Sequence, residues 1–196
     1  MKIICYGDSN TWGFNPHSGN RFDEKTRWPA VMSSCLGDED EVVEEGLNGR
    51  TIGNHLPQGS PLNGLEYLEH ILNKYPRFDM FILYLGINDL FQRDDIGPEE
   101  IAEKIGRALE LIHSTVLLLS PLPMNVSEEL SETYRLLTIK SEYFHTEYER
   151  IARKYKAELI NTGEIISASP VDGVHIEAEE HRKLGRHLCE VVEGLL

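Results

Sequence analysis

A chain of 196 residues with 40% hydrophobic content is long enough to bury a sizeable core within one domain. Its formal net charge of −14 disfavours nucleic acid as a partner, because phosphates would be repelled and no local basic cluster offsets the repulsion. No stretch is apolar for long enough to span a bilayer, and the opening apolar run is too brief for a signal peptide, so no membrane partner is expected. Cys5, Cys35 and Cys189 are odd in number and show no Cys-x-x-Cys spacing, which reads as reduced, buried thiols in a cytoplasmic protein.

Along the chain, apolar runs of strand length occupy residues 2–6, 41–45, 80–85, 115–120 and 158–161, each closed by Gly, Asn, Ser or Pro. Helical patterns intervene at 28–36, 62–74, 98–113, 131–156 and 177–196. Gly97-Pro98-Glu99-Glu100 supplies a proline and acids for a first turn, and Ser131 is placed to cap the long fourth helix. Phe81-Ile82-Leu83-Tyr84-Leu85 and Val116-Leu117-Leu118-Leu119 lack a polar alternate face, as strands covered on both sides should. Strands alternating with helices imply parallel pairing through right-handed crossovers. The predicted architecture is α/β: a single-domain, three-layer α/β/α, flavodoxin-like fold over residues 1–196, with a central, mostly parallel five-stranded sheet. Two stretches rich in Gly, Pro, Asn and His, 14–26 and 54–61, are expected as loop insertions that wall a pocket.

Ligands of open parallel sheets bind outside the carboxyl ends of the strands. Four polar segments fall there: Gly7-Asp8-Ser9, the turn around Gly49, Gly86-Ile87-Asn88-Asp89, and Asp172-Gly173-Val174-His175. Acyl transfer by serine needs a base, a group that orients the base, and donors for the developing oxyanion. Ser9 is the candidate nucleophile, His175 the base and Asp172 its partner across a turn that Gly173 makes easy. The N–H groups of Ser9 and Gly49 and the side-chain amide of Asn88 are the candidate oxyanion donors, with Gly49 expected to permit close backbone approach. Taken singly, Ser9 and Asp172 read as helix caps and Gly49 and Asn88 as turn residues; their conjunction at one rim favours the catalytic reading. Asp172 and His175 would also suit half a metal site, but no further ligand spacing completes one, and no cofactor is called for. A histidine base must be neutral to act, so activity is expected to fall on acidification.

These four segments resemble, in order, the four sequence blocks of the SGNH hydrolase superfamily, the GDSL-type esterases and lipases. The resemblance spans almost the whole chain and implies the same roles for Ser9, Gly49, Asn88, Asp172 and His175. The longer run Cys5 to Phe14, the pair Arg27-Trp28 and the run Glu44 to Thr51 look like a narrower group of bacterial aryl esterases that also transfer acyl groups. That likeness implies a small-molecule ester substrate and a homo-oligomer. Asn10 departs from the leucine of the family's nickname, and the stretch 120–131 is short, so the narrower group's pocket shape is not carried over.

The expected activity is hydrolysis of small acetyl, short-chain or aryl esters through an acyl-Ser9 intermediate, with transfer to another alcohol as a variant. Trp12, Phe14, Trp28, Leu90 and Phe91 flank the site segments and read either as pocket wall or as core. Asp89 and Arg50 either meet a polar part of the substrate or pair with neighbours; Trp12, Asp89 and Leu90 are the substrate-binding candidates. A thioesterase or lysophospholipase is the alternative within the enzyme class. A non-catalytic flavodoxin-like binding domain, with Asp8 as a phosphoacceptor, is the alternative outside it.

Overall fold

The computed structural model of the chain describes residues 1–53, 56–57, 59–93, 95–126 and 132–195. Its elements in chain order are β1 (Lys2–Gly7), α1 (Ser9–Trp12), α2 (Trp28–Leu36), β2 (Glu41–Gly46), α3 (Gly64–Lys74), β3 (Met80–Tyr84), α4 (Ile87–Gln92), α5 (Pro98–Leu111), β4 (Thr115–Ser120), α6 (Glu132–Ser141), α7 (Phe144–Tyr155), β5 (Glu158–Asn161), α8 (Thr162–Ile165) and α9 (Ala178–Gly194). The strands form one five-stranded sheet in the order β2-β1-β3-β4-β5, and every neighbouring pair is parallel. This is the single-domain α/β/α architecture expected from the pattern, with flavodoxin-like strand order.

The two-residue period of a strand divides the core into two layers. Ile4, Tyr6, Phe81, Leu83, Val116 and Leu118 face one side, where they pack with Leu68 of α3, Ile101 and Ile105 of α5, and Tyr148 and Ile151 of α7. Ile3, Cys5, Ile82, Tyr84, Leu117 and Leu119 face the other, against Trp28 and Met32 of α2 and Leu184 and Leu188 of α9. Each such side chain, fully removed from water, contributes about 1.5–3 kcal/mol, which is why both faces of β1, β3 and β4 are apolar.

Strand order reverses between β1 and β3, since β2 lies on one side of β1 and the remaining strands on the other. The carboxyl ends of β1 and β3 therefore flank the crevice in which open sheets bind ligands.

Two sequence expectations differ from the fold. The predicted helix over 131–156 is two helices, α6 and α7. Ser141 is buried at their junction: its hydroxyl donates to the Thr138 carbonyl at 2.6 Å and accepts the Met124 N–H at 2.7 Å, tying the end of α6 to the segment that follows β4. The proposed cap Ser131 lies outside the described residues, as do Asn54, His55 and Gln58 of the expected 54–61 insertion. Cys35 and Cys189, read as reduced thiols, are joined by a disulfide between α2 and α9, with Cα atoms 6.1 Å apart across 154 residues; Cys5 alone is free and buried. Spacing along the chain could not reveal that pair, because the packing of α2 on α9 creates it, and the argument from reduced thiols to a cytoplasmic setting loses its footing. Short helices α1, α4 and α8 span too few residues to show a helical period. No helix among the described residues is long and apolar enough to cross a membrane.

Candidate active site

Ser9 begins α1 directly after β1 and is 5% exposed. Asp8 caps that helix, its Oδ1 accepting the Asn10 N–H at 2.9 Å, and Gly13 closes it in a left-handed conformation, so a single helical turn presents the Ser9 hydroxyl at the sheet edge. His175 Nε2 lies 3.0 Å from Ser9 Oγ, and His175 Nδ1 lies 2.7 Å from Asp172 Oδ2. Chemistry fixes the tautomer: an ionised Asp172 only accepts, so Nδ1–H donates to it and unprotonated Nε2 accepts the serine O–H.

The loop carrying Asp172 and His175 follows α8 and is pinched shut by a bridge between Ala168 and Ile176. Asp172 Oδ1 accepts the N–H groups of Val174 at 3.0 Å and His175 at 2.9 Å, which folds the turn back on its own carboxylate. Burial works to raise the Asp172 pKa, but those two N–H groups and the imidazole outweigh it and hold the carboxyl below the usual range. Gly173 adopts φ +74°, and a Cβ there would come within 2.6 Å of the Asn125 carbonyl oxygen, so the turn needs glycine both for conformation and for space. Asn125 in turn donates its N–H to the Gly173 carbonyl at 2.8 Å, bracing the loop from the segment after β4. Phe14 lies against the His175 ring, with centroids 4.2 Å apart, from a small hairpin in which Phe14 pairs with Arg21.

The segment after β2 is held by buried polar groups. Arg50, 3% exposed, donates to the carbonyls of Gly7 at 3.0 Å, Pro61 at 3.0 Å and Glu45, and its guanidinium stacks 4.3 Å from the centre of the Tyr6 ring. Asp89, fully buried on α4, accepts the N–H groups of Ile52 at 2.9 Å and Gly53 at 2.8 Å. Its neighbour Asn88 donates one amide hydrogen to the Arg50 carbonyl at 3.0 Å, leaving the second available. Gly49 sits at φ +76°, and a Cβ there would meet nothing nearer than Leu62 at 4.0 Å, so the turn requires glycine for its left-handed backbone. Neither the Ser9 nor the Gly49 N–H has a backbone acceptor among the described residues.

Ser9, Asn88, Asp172 and His175 thus lie beyond the carboxyl ends of their strands as expected, with Ser9, His175 and Asp172 in one hydrogen-bonded line. Other candidates are reassigned. Asp89 and Leu90 are 0% exposed, the first spent on backbone N–H groups and the second packed in the core, so neither is open to substrate. Arg50 pairs with neighbours, and Trp28 is core. Asp8 is buried as a helix cap, with its carboxyl pushed up to about 7 chiefly by burial, which does not suit a phosphoacceptor. Trp12 is half-buried, with the Arg21 guanidinium 5.6 Å from its ring centre, and Phe91 is 36% exposed; these two and Phe14 remain as wall. Of the two alternatives the sequence left for Asp89 and Arg50, the structure shows pairing with neighbours; that they bind the backbone around Gly49 could not be read, because an acid and an arginine flanking site residues give no direction.

Among the described residues no group of three or more His, Cys, Asp or Glu is placed to hold a metal ion. A cleft of about 600 Å³ lined by Lys2, Phe78, Asp79 and His113 lies at the amino ends of the strands, the far side of the sheet from Ser9.

The model of the GDSL-like Lipase/Acylhydrolase family matches residues 5–183. Among solved structures, a carbohydrate acetylesterase family member from Sinorhizobium meliloti is 28% identical, with TM-score 0.91, over 100% of this chain and 99% of that one. An aryl esterase from M. smegmatis is 30% identical, with TM-score 0.89, over 100% of both chains. A search of curated protein sequences found no match.

Proposed function

The chain belongs to the GDSL-like lipase/acylhydrolase family, and from that premise we propose that Ser9, His175 and Asp172 carry out the serine-type hydrolysis of carboxylic esters that characterises this protein and its relatives. One observation supports the assignment above all: Ser9 Oγ, His175 and Asp172 form an unbroken chain with contacts of 3.0 and 2.7 Å. In the proposed cycle Ser9 Oγ attacks the acyl carbon while its proton passes to His175 Nε2, and Asp172 stabilises the imidazolium through Nδ1–H. The developing oxyanion is received by the N–H groups of Ser9 and Gly49 and the free amide hydrogen of Asn88; one such donor is worth about 3–4 kcal/mol in the transition state. Collapse returns the proton from Nε2 to the leaving alkoxide and leaves acyl-Ser9. Water, or a second alcohol, then gives a proton to the same nitrogen and attacks the acyl carbon; the acyl–Oγ bond breaks as Nε2 returns that proton to Ser9 Oγ, freeing the acid or the new ester.

The proposed substrates are small acetyl or aryl esters, in keeping with relatives described as a carbohydrate acetylesterase family member and an aryl esterase. A homo-oligomer is part of the same proposal, supported by Tyr134, Leu136, Ile139 and Tyr143, large apolar side chains 40–58% exposed on and just after α6. A purely binding role leaves the Ser9–His175–Asp172 line without a task. With para-nitrophenyl acetate, Ser9→Ala is expected to lower kcat by roughly 10⁴–10⁶-fold; undiminished turnover in that variant would overturn the assignment.

A further inference from the structure

The GDSL signature has leucine at the position this chain fills with Asn10. Asn10 is 4% exposed, and its Oδ1 is buried without a hydrogen-bond partner. For stability alone that is the poorer choice, since a leucine, with the same heavy-atom branching, would bury no unpaired acceptor. What asparagine adds is a donor: its Nδ2 reaches the carbonyl of Val174 at 3.3 Å, across 164 residues of sequence.

Asn10 follows Ser9, and Val174 precedes His175. The Asn10–Val174 contact and the Ser9–His175 contact therefore close one small ring between the nucleophile turn and the base turn. Val174 is held at both ends, its N–H by Asp172 Oδ1 at 3.0 Å and its carbonyl by Asn10. The Asn10 backbone is itself anchored, its N–H donating to Asp8 Oδ1 at 2.9 Å.

We infer that Asn10 is a positioning residue, which sets the distance from Ser9 Oγ to His175 Nε2 by tying the nucleophile turn to the Val174 carbonyl. The inference rests on Ser9 and His175 acting as nucleophile and base. A reacting pair displaced by about 1 Å can lose on the order of 10²-fold in rate, so a partial loosening has a readable effect.

The test is Asn10→Leu, with Asn10→Ala as a second variant should leucine not be accommodated. Expected are a Tm equal to or above that of the parent, a kcat for para-nitrophenyl acetate lowered by roughly 3- to 30-fold, an unchanged KM, and a fluorophosphonate inactivation rate lowered by the same factor as kcat. A merely structural role would lower Tm and the fraction of titratable sites while leaving turnover per site intact, and that outcome overturns the inference. Parental kcat in both variants, with Ser9→Ala inactive, overturns it while leaving the assignment of Ser9 in place; turnover in Ser9→Ala removes the reading on which it depends.

Discussion

The two halves of the site are held by different means. On the oxyanion side, the segment from Gly49 to Gly53 is gripped by side chains that are themselves buried: Asp89 accepts two of its N–H groups, and Arg50 binds three carbonyls around it. On the base side, Asp172 and His175 keep 31% and 20% of their side-chain surface and ride on a loop held by its own turn hydrogen bonds to Asp172 Oδ1 and the Ser169 carbonyl, one bridge, a backbone brace from Asn125 and the tie from Asn10. Donors that must meet a developing charge stabilise it best when they need no reorganisation, which favours a rigid, dry mounting. A histidine that takes a proton from serine and gives it to a leaving group, then takes one from water and returns it to serine, works beside solvent and the path of the substrate. On the proposed assignment, buried supports are concentrated where the charge would appear, and exposure where protons and products would move.

If this division holds, variants on the two sides separate activity from stability. The largest expected effect is on the base side: Asp172→Asn should lower kcat by roughly 10⁴-fold through the wrong imidazole tautomer, with only a small change in Tm, because the altered group is partly exposed. Steady-state kinetics and thermal unfolding on one preparation check it, and a large Tm loss would erase the contrast. On the oxyanion side, Asp89→Asn leaves one of two buried backbone N–H groups without an acceptor, an expected loss of about 1–3 kcal/mol in urea-unfolding stability together with a lower kcat. Unchanged stability there would mean that the Asp89 lock does not set the rigidity of this half.

The remaining effect concerns pH. Behind the base loop, His181 is fully buried on α9, and burial lowers its pKa to about 3. Between pH ~3 and ~6.5 the unfolded chain binds a proton at this residue that the folded chain refuses, so its contribution to stability is lost as pH falls through that window. Asp8, with its carboxyl raised to about 7, has the opposite slope: the folded chain holds a proton that the unfolded chain releases above pH ~4, so stability is lost as pH rises toward 7. The two slopes oppose each other between pH ~4 and ~6.5, and removing one exposes the other. Relative to the parent, His181→Gln should gain up to about 1.4 kcal/mol per pH unit on acidification through that window. Urea unfolding at several pH values measures it, and a pH-independent difference between the two proteins would refute it.

Sequence reading reached the frame and the chemistry because both are written locally. Uninterrupted apolar runs such as Phe81 to Leu85 mark doubly covered strands; Ser9 and Asn88 stand just past the ends of β1 and β3, and Asp172 and His175 on the loop after α8. It failed where a residue's role depends on a partner far away in the chain. Asp89 and Leu90 looked like pocket residues because they adjoin Asn88, but one helical turn rotates them inward, to the backbone of Ile52 and Gly53 and to the core. The break between α6 and α7 was hidden because Ser141, besides bonding Thr138 of its own helix, accepts from Met124, 17 residues away.

By itself, then, the amino-acid sequence determined the alternation of strand and helix and the parallel sheet that follows from it, and it marked Ser9, Gly49, Asn88, Asp172 and His175 as the candidate groups for acyl transfer. Periodicity, turn residues and side-chain chemistry act over a few positions, so they can be read in order. Only the tertiary structure decided that Cys35 meets Cys189, that Arg50 and Asp89 serve the scaffold, and that Asn10 reaches across 164 residues to Val174. Those pairings depend on how helices and loops pack around the sheet, where direction and burial, rather than residue type, choose the partner.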